Sequence, residues 1–577
     1  MLKLVKYMRP YAGLIFLIIF FMFGLAIAEL YLPIILADMI NNGMMSGDAG
    51  YVIKKGGSML IVALIGSCCS IVGAFLSART AMGFGRDLRN NIFSRVTSCS
   101  LEQFDEIGTA SLITRTTNDV TQIQATLVMM LRFIVYSPIM CLGGIIMAYS
   151  VDPGLCRILL VVLPVMLIFI IAMARLVIPM FAKIQKCVDK LNLILRENLT
   201  GVRVIRAFNR QRYEENRFGG ANKELTDIAV KVNKIMACMQ PIVMMFMNVT
   251  AIMIIWFGGV RISEGNIQIG DMIAFLQYAM LIMFSIIMVT MMFVMIPRAQ
   301  ASAVRINEVL MIGVTEERRE NGLSPGKGGG VEFRNVTFSY GGATLPALKN
   351  ISFTAEAGEV TAITGSTGAG KTTLMNMIAG LYEAASGEVI VGGVDVKDQS
   401  VGSLRKKLGF VPQTAALFSG TVEDNIKFGK ADASATEVKH AAVVAQADAF
   451  IAEMAGGYES EIFQGGANLS GGQKQRLQAA RALIRKAEIN IFDDSFSALD
   501  YKTDAMLRNA LKSELGASTR IIVSQRIGAI KDADKIVVLN DGVIAGIGTH
   551  KELLESCEVY IEIARSQLAP EETADGE

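Results

Sequence analysis

The chain has 577 residues, of which 52% are hydrophobic and only 19% charged, with a formal net charge of +2. A mean hydropathy of +0.44 is too apolar for a soluble enzyme of this length and points to a membrane protein. Near-neutral charge with no basic block interleaved with aromatics excludes a nucleic-acid binder. Eight scattered cysteines without C-x-x-C spacing, beside only two histidines, argue against a zinc site or a disulfide framework.

Lys3, Lys6 and Arg9 precede an apolar run that continues past Glu29 to about residue 40. That is longer than the core of a signal peptide and long enough to cross a bilayer, so it reads as a retained first helix. Five further apolar stretches of membrane-span length follow, at 57–78, 127–149, 155–178, 235–260 and 270–297. Long polar segments with helical character separate the second from the third and the fourth from the fifth, whereas the other connections are short. The long segments carry Arg86, Arg89, Arg95 and Arg115, then Lys183, Lys186, Lys190, Arg196, Arg203 and Arg206. By the positive-inside bias the N-terminus and both long segments face the cytoplasm.

Ionisable groups at bilayer depth are functional candidates by default, which singles out Glu29, Asp38 and Arg132 as a substrate pathway. Spans five and six are rich in methionine, whose adaptable side chain suits varied apolar ligands but equally serves as lipid-facing filler. Residues 1–312 therefore form a six-helix membrane domain, and 313–330, rich in charge, Gly and Pro, form a linker. From 331 to 566 short apolar runs alternate with helical stretches and Gly-rich turns, the α/β pattern of a parallel sheet covered by helices. Its strands are expected at 331–338, 359–364, 489–492, 520–523 and 535–539. Residues 567–577 form an acidic tail expected to be disordered.

Gly365, Ser366, Thr367, Gly368, Ala369, Gly370, Lys371 and Thr372 match the phosphate-loop pattern between a strand and an apolar helical run. Glycines there let backbone N–H groups curl around phosphates at a helix N-terminus, Lys371 reaches the terminal phosphates, and the Thr372 hydroxyl can ligate Mg²⁺. Thr373 follows in the same helix start. About a hundred residues later stand Leu469, Ser470, Gly471, Gly472 and Gln473, shortly before the apolar strand that ends in Asp493 and Asp494.

With this LSGGQ run the sequence resembles the ATP-binding cassette (ABC) transporter family, and the other expected pieces stand in order: Tyr340, Gln413, Asp493 and Ser497-Ala498-Leu499-Asp500. Phe104-Asp105, Gly108 and Thr117-Asn118-Asp119 are similar to the first intracellular loop of the exporter branch, and Glu197, Gly201 and Arg203 to its second. The resemblance implies a multidrug-type half-transporter, six spans and one cassette, that works as a pair in the bacterial cytoplasmic membrane with ATP and Mg²⁺. It assigns Tyr340 to adenine, Thr372, Gln413 and Asp493 to the metal, Asp500 to the inter-subunit loop, and Ser470, Gly471, Gly472 and Gln473 to the ATP held by the partner.

Three positions depart from that pattern. Asp494 stands where the family carries a catalytic Glu, drawing the carboxylate back by about 1.5 Å. Gln525 stands where a histidine contacts the γ-phosphate and cannot carry imidazolium charge. Gln464 replaces a Glu ahead of the signature. Together these resemble the degenerate-site subunit of heterodimeric exporters, which binds ATP, hydrolyses it poorly, and completes the competent site of a second half-transporter. The implied cargo is a small amphiphile, drug-like or lipid-like. A homodimeric lipid or peptide flippase is the alternative, and a non-transporting regulator gated by ATP stands behind both.

Overall fold

The computed structural model describes residues 2–313, 322–324, 326 and 328–567. Most of the expected linker (314–321, 325 and 327) and the tail from 568 onward lie outside the described residues. The chain divides into two units, Met1–Phe93 with Ile113–Leu310, and Ser94–Leu112 with Met311–Glu577.

Before the first strand the helices are α1 (Ala12–Asp38), α2 (Ala49–Ser98), α3 (Leu101–Ile107), α4 (Thr109–Thr114), α5 (Val120–Val151), α6 (Cys156–Thr200), α7 (Val202–Ala207), α8 (Gln211–Ser263) and α9 (Ile269–Leu310). Among the described residues six helical segments are long and apolar enough to cross a membrane, one for each expected span. α2, α6 and α8 run for 50, 45 and 53 residues. At about 1.5 Å per residue these far exceed the ~30 Å hydrocarbon core, so the long polar segments are largely helical continuations of the spans.

α1 is apolar all round: Ile18, Met22 and Ala26 are buried while Phe16, Phe20, Phe23 and Ile27 point outward, the composition of a helix solvated by lipid. α5 packs against α1 and α9 around Met140, Phe275, Tyr278 and Ile282. The approach is close because Gly144 has no side chain; a Cβ there would lie 2.7 Å from Ile282 Cγ1. Tyr278 is fully buried, and its hydroxyl donates to the Leu30 carbonyl at 2.7 Å. Beside the start of α5, Asp119 is buried and accepts from Ser302 Oγ (2.9 Å) and Arg305 Nε (2.8 Å) on α9, while Arg115 donates to the Arg305 carbonyl (2.8 Å).

In the second unit the elements are β1 (Val331–Phe338), β2 (Leu348–Ala355), β3 (Val360–Gly365), α10 (Lys371–Ile378), β4 (Ser386–Val391), β5 (Val394–Asp395), α11 (Val401–Lys406), β6 (Leu408–Val411), β7 (Gly420–Thr421), α12 (Val422–Lys427), α13 (Ala435–Val444), α14 (Asp448–Glu453) and β8 (Glu461–Ile462). They continue as α15 (Gly471–Leu483), β9 (Ile489–Asp493), α16 (Tyr501–Glu514), β10 (Thr519–Val523), α17 (Ile527–Ile530), β11 (Lys535–Asn540), β12 (Val543–Gly548), α18 (His550–Ser556) and α19 (Glu558–Arg565). The main sheet has the order β12-β11-β3-β10-β9-β6, parallel except for β12. Burial on both faces explains its unbroken apolar strands: every residue of β9 is buried.

The first expected strand does not join this sheet. β1 pairs antiparallel with β2 and β4, and with β5 they form a separate four-stranded sheet. Nine residues join β1 to β2, fewer than the dozen or more that a parallel crossover needs, which favours antiparallel pairing.

The unit also takes in part of the long polar segment between the second and third spans. α3 opens with a capping box of Ser100 and Gln103. Leu101 packs against the cassette core, and the Tyr382 hydroxyl donates to Asp105 at 3.0 Å. The described end of the expected linker is attached to the cassette as well: Leu323 N donates to the Asp398 carbonyl (2.8 Å) and Gly326 N to that of Gly392 (2.9 Å).

Candidate functional site: a phosphate loop at the carboxyl edge of the parallel sheet

In an open α/β sheet, ligands bind outside the carboxyl ends of the strands. Every phosphate-site candidate falls on that edge: Gly365 ends β3, Asp493 ends β9, Gln413 follows β6, and Gln525 follows β10.

The phosphate loop leaves β3 at Gly365, where φ is +143° and a Cβ would meet the Leu539 carbonyl oxygen at 2.0 Å, so only glycine fits. The loop then enters α10. Lys371 is 8% exposed, and its ammonium donates to the carbonyls of Gly365 (2.9 Å) and Ser366 (2.7 Å). Burial lowers its pKa from the ordinary lysine value, and Asp494 and Asp493 work against that shift. A cation held this way at a helix N-terminus suits terminal phosphates.

Asp493 is 1% exposed, and among the described residues neither of its carboxylate oxygens has a hydrogen-bond partner. The Thr372 hydroxyl lies beside it, and burial pushes the Asp493 carboxyl above the usual carboxylate range. Two orphaned carboxylate oxygens next to a hydroxyl form a hard oxygen donor set. Mg²⁺ is held this way, by one or two protein oxygens with phosphates and water supplying the rest.

Asp494 is displaced from the strand. Its N–H donates to the Val523 carbonyl at 3.0 Å, and its φ is +44°, a left-handed conformation in which Asp is enriched. Burial raises its pKa, opposed by the Gln413 amide hydrogen-bonded to it and by Lys371 and Arg526. The sequence assigns Gln413 to the metal; in the structure its side chain meets Asp494.

Tyr340 is 42% exposed, edge-on to Phe338 and Tyr382, and its hydroxyl is 2.7 Å from Thr373 Oγ1. Its ring therefore borders the helix that carries the phosphate loop and is open enough to take a planar base. Gln525 is exposed. Neither histidine comes to this edge: His440 pairs with Glu514 on α16 and His550 with Tyr560 on α19.

The signature residues build the start of α15. Ser470 is its N-cap, its hydroxyl accepting from Gln473 N (3.3 Å) while Gln473 Oε1 accepts from Ser470 N (2.9 Å). This S-x-x-Q capping box sets the N–H groups of Gly471 and Gly472 at a helix N-terminus, with Gly471 exposed and Gly472 close against Ala498 and Leu499. Asp500 caps α16, accepting from Thr503 N at 2.9 Å. Gln464 lies in the short turn Gln464–Gly466, and Lys474 braces that turn by donating to the Gly465 carbonyl at 3.0 Å.

Three residues to which the sequence assigned no role hold this edge together. Gln475 is buried and grips residues 497–500 by accepting from Ala498 N (3.0 Å) and donating to Ser497 Oγ (3.3 Å). Arg526 reaches the same loop from the other side, donating to the Ser497 carbonyl at 2.7 Å. Gln567, expected as the first residue of a disordered tail, accepts from Ile527 N (3.0 Å) and donates to the Gln525 carbonyl (2.7 Å). A polar residue inside the buried face of α15 was the available signal for Gln475. Arg526 and Gln567 left none, because their partners are backbone groups far away in sequence.

Of the three candidates in the membrane unit, Asp38 sits at the end of α1 in an ion pair with Lys55 and accepts from Tyr51 and Asn42. Glu29 accepts from the Tyr136 hydroxyl of α5. Arg132 is half-buried, and its Nε has no hydrogen-bond partner among the described residues.

An apolar six-helix half followed by a phosphate-loop cassette with a capped signature helix is the architecture of an ATP-driven membrane transporter. The family model of the ABC transporter transmembrane region matches residues 15–286, and the ABC transporter model matches residues 348–497. An uncharacterized ABC transporter ATP-binding protein of Mycobacterium tuberculosis is 40% identical over 567 residues, covering 97% of each chain. The Bacillus subtilis protein YfiB, an ABC transporter ATP-binding protein, is 36% identical over 571 residues and 99% of each chain. An ATP-dependent lipid A-core flippase of Syntrophus aciditrophicus is 30% identical over 519 residues, 90% of this chain and 86% of its own. Among solved structures, a bacterial Atm1-family ABC exporter with ATP bound superposes with a TM-score of 0.78 at 24% identity, covering 97% of this chain and 99% of the other, a likeness of fold. The chain belongs to the ABC transporter family, as a multi-pass membrane protein with an exporter-type membrane domain and an ATP-binding cassette.

Proposed function

We propose that this chain is the degenerate-site half of a heterodimeric exporter that moves amphiphilic molecules out of the cytoplasm or the inner leaflet of a bacterial cytoplasmic membrane. The observation that carries this reading is the combination in one cassette of an intact phosphate loop and signature with Asp494 and Gln525 in the two catalytic positions. Its N-terminus and cassette lie in the cytoplasm, and a second half-transporter carries the main hydrolytic site.

In this reading Tyr340 stacks on adenine, the phosphate-loop N–H groups and Lys371 bind the phosphates, and Thr372, Asp493 and Gln413 hold Mg²⁺. When bound there, Mg²⁺ would supply neutralisation of the phosphate charge. Asp494 ends about 1.5 Å short of where a Glu carboxylate would orient water. Gln525 can donate a hydrogen bond to a phosphate but adds no positive charge. ATP therefore stays bound here and holds the two cassettes closed, while Ser470, Gly471, Gly472 and Gln473 complete the partner's site, where turnover resets the transporter.

The test is to express the chain alone and together with a second half-transporter encoded beside it, and to measure ATP hydrolysis and ATP-driven uptake of a fluorescent amphiphile into inside-out vesicles. The expected result is activity only in the pair, abolished by replacing the catalytic Glu of the second subunit. Vigorous transport by this chain alone refutes the reading. One observation favours a second reading, a homodimeric lipid flippase: the 30% identity to the lipid A-core flippase.

A further inference from the structure

The seam between α1 and α5 contains an acid and a base that do not pair. Arg132 and Tyr136 lie four residues apart on α5, so they share one face about 6 Å apart along the helix. Tyr136 donates its hydroxyl to Glu29 Oε2 on α1. Glu29 thus has its own partner, and no ion pair joins it to Arg132 among the described residues. All three residues are half-buried.

Arg132 lies five residues inside the apolar run that begins at Leu127, roughly 7–8 Å along the helix. Its Nε is shut off from solvent without an acceptor, and its guanidinium lies beside the Phe133 ring, 5.6 Å from the centroid. A guanidinium in apolar surroundings with an unmet donor is costly to keep, and it offers a planar fork matched to phosphate or carboxylate. Asp38 is not the missing acceptor, since Lys55 already neutralises it at the far end of α1.

We propose that Arg132 is the headgroup-binding residue of a substrate site and selects amphiphiles that carry one anionic group, a phosphate or carboxylate. Tyr136 keeps Glu29 engaged and away from Arg132, so the fork stays free for the ligand. Glu29, held on α1 by the Tyr136 hydroxyl one helical turn from Arg132, repels a second negative charge. The inference rests on the amphiphile-export reading and adds the charge class of the cargo.

The experiment uses the full chain with its co-purified partner in phosphatidylcholine nanodiscs. ATPase stimulation is titrated with phosphatidylglycerol, dodecyl phosphate and dodecyltrimethylammonium. Half-maximal stimulation is expected at about tenfold lower concentration for the anions than for the cation, the size of one charge-assisted contact. Stimulation by both anions marks the anionic group itself as the determinant, and stimulation by phosphatidylglycerol alone marks a lipid headgroup. Arg132→Gln is expected to abolish the discrimination and Arg132→Lys to retain part of it. Tyr136→Phe, which releases Glu29, should weaken both anions several-fold. Equal stimulation by all charges, or discrimination that survives Arg132→Gln, overturns the inference while leaving amphiphile export standing. If no amphiphile stimulates, both fail. Loss of subunit assembly on size-exclusion chromatography of Arg132→Gln also overturns it, since Arg132 would then be a subunit contact.

Discussion

Replacing Asp494 by Glu tests the chemistry of the site most directly. The substitution extends the carboxylate by about 1.5 Å without altering its charge. A misplacement of about 1 Å at a reacting centre costs on the order of 10²-fold, or about 2.7 kcal/mol of barrier. Hydrolysis at this site should therefore rise between about 10- and 10²-fold, the upper value holding only if Gln525 suffices at the γ-phosphate. The backbone at Asp494 works against the change, because φ is +44° and left-handed geometry costs roughly 1–2 kcal/mol for a residue without Asp's local hydrogen bonding. Asp494→Glu should thus be faster yet slightly less stable, a split that separates reach from folding. The assay is single-turnover phosphate release from a pair whose partner site is disabled by Glu→Gln, alongside thermal melting. Asp494→Asn should change the same rate by less than about threefold, since little catalysis is there to lose. A robust wild-type rate that falls about 10²-fold in Asp494→Asn would refute the reasoning.

Other substitutions probe separate parts of the structure. Lys371→Ala removes the ammonium beside the phosphate-loop carbonyls and should weaken binding of a fluorescent ATP analogue by about 10- to 10²-fold. Gln475→Ala frees residues 497–500 from the signature helix and should lower turnover at the partner's site about tenfold, with little change in the KM for ATP. Asp119→Ala removes a buried acceptor of Ser302 and Arg305; because Arg305 stays half exposed and solvated, the cost should be about 1–3 kcal/mol, read as a lower melting temperature in detergent. Asp493 gives a pH signature. Its pKa is raised in the folded, metal-free cassette, so its contribution to stability is complete below the ordinary carboxylate value and lost as pH rises through the raised one. At neutral pH in EDTA, Asp493→Asn should therefore melt higher than wild type, and it should gain no further protection from Mg²⁺ and ATP.

The spans and the main sheet were legible because periodicity and apolar run length record burial directly: lipid-facing α1 is apolar all round and β9 is buried throughout. The phosphate loop was legible for a different reason. Gly365 and Lys371 answer to backbone geometry and phosphate charge, which few other residues satisfy. The antiparallel sheet of β1, β2, β4 and β5 was not legible, since pairing depends on connections and partners far apart in the chain rather than on strand composition. Nor were the grips of Arg526 and Gln567 on loop backbone, because any residue can supply a carbonyl or an N–H. Nor was the meeting of the Gln413 side chain with Asp494, because the two follow different strands, β6 and β9, far apart in the chain.

The assignment of Ser94–Leu112 to the cassette's unit has a mechanical consequence. The backbone crosses between the two units three times, near residues 93, 113 and 310, so the cassette is moored at three points. Proteolytic cleavage between 311 and 330 would leave it attached, because α3, continuous in sequence with the membrane unit at both ends, packs Leu101 on the cassette core and accepts a hydrogen bond from Tyr382 at Asp105. A cut there should sever the covalent tie without releasing a soluble cassette, and release should follow only when Tyr382→Ala or Leu101→Ala loosens the remaining mooring.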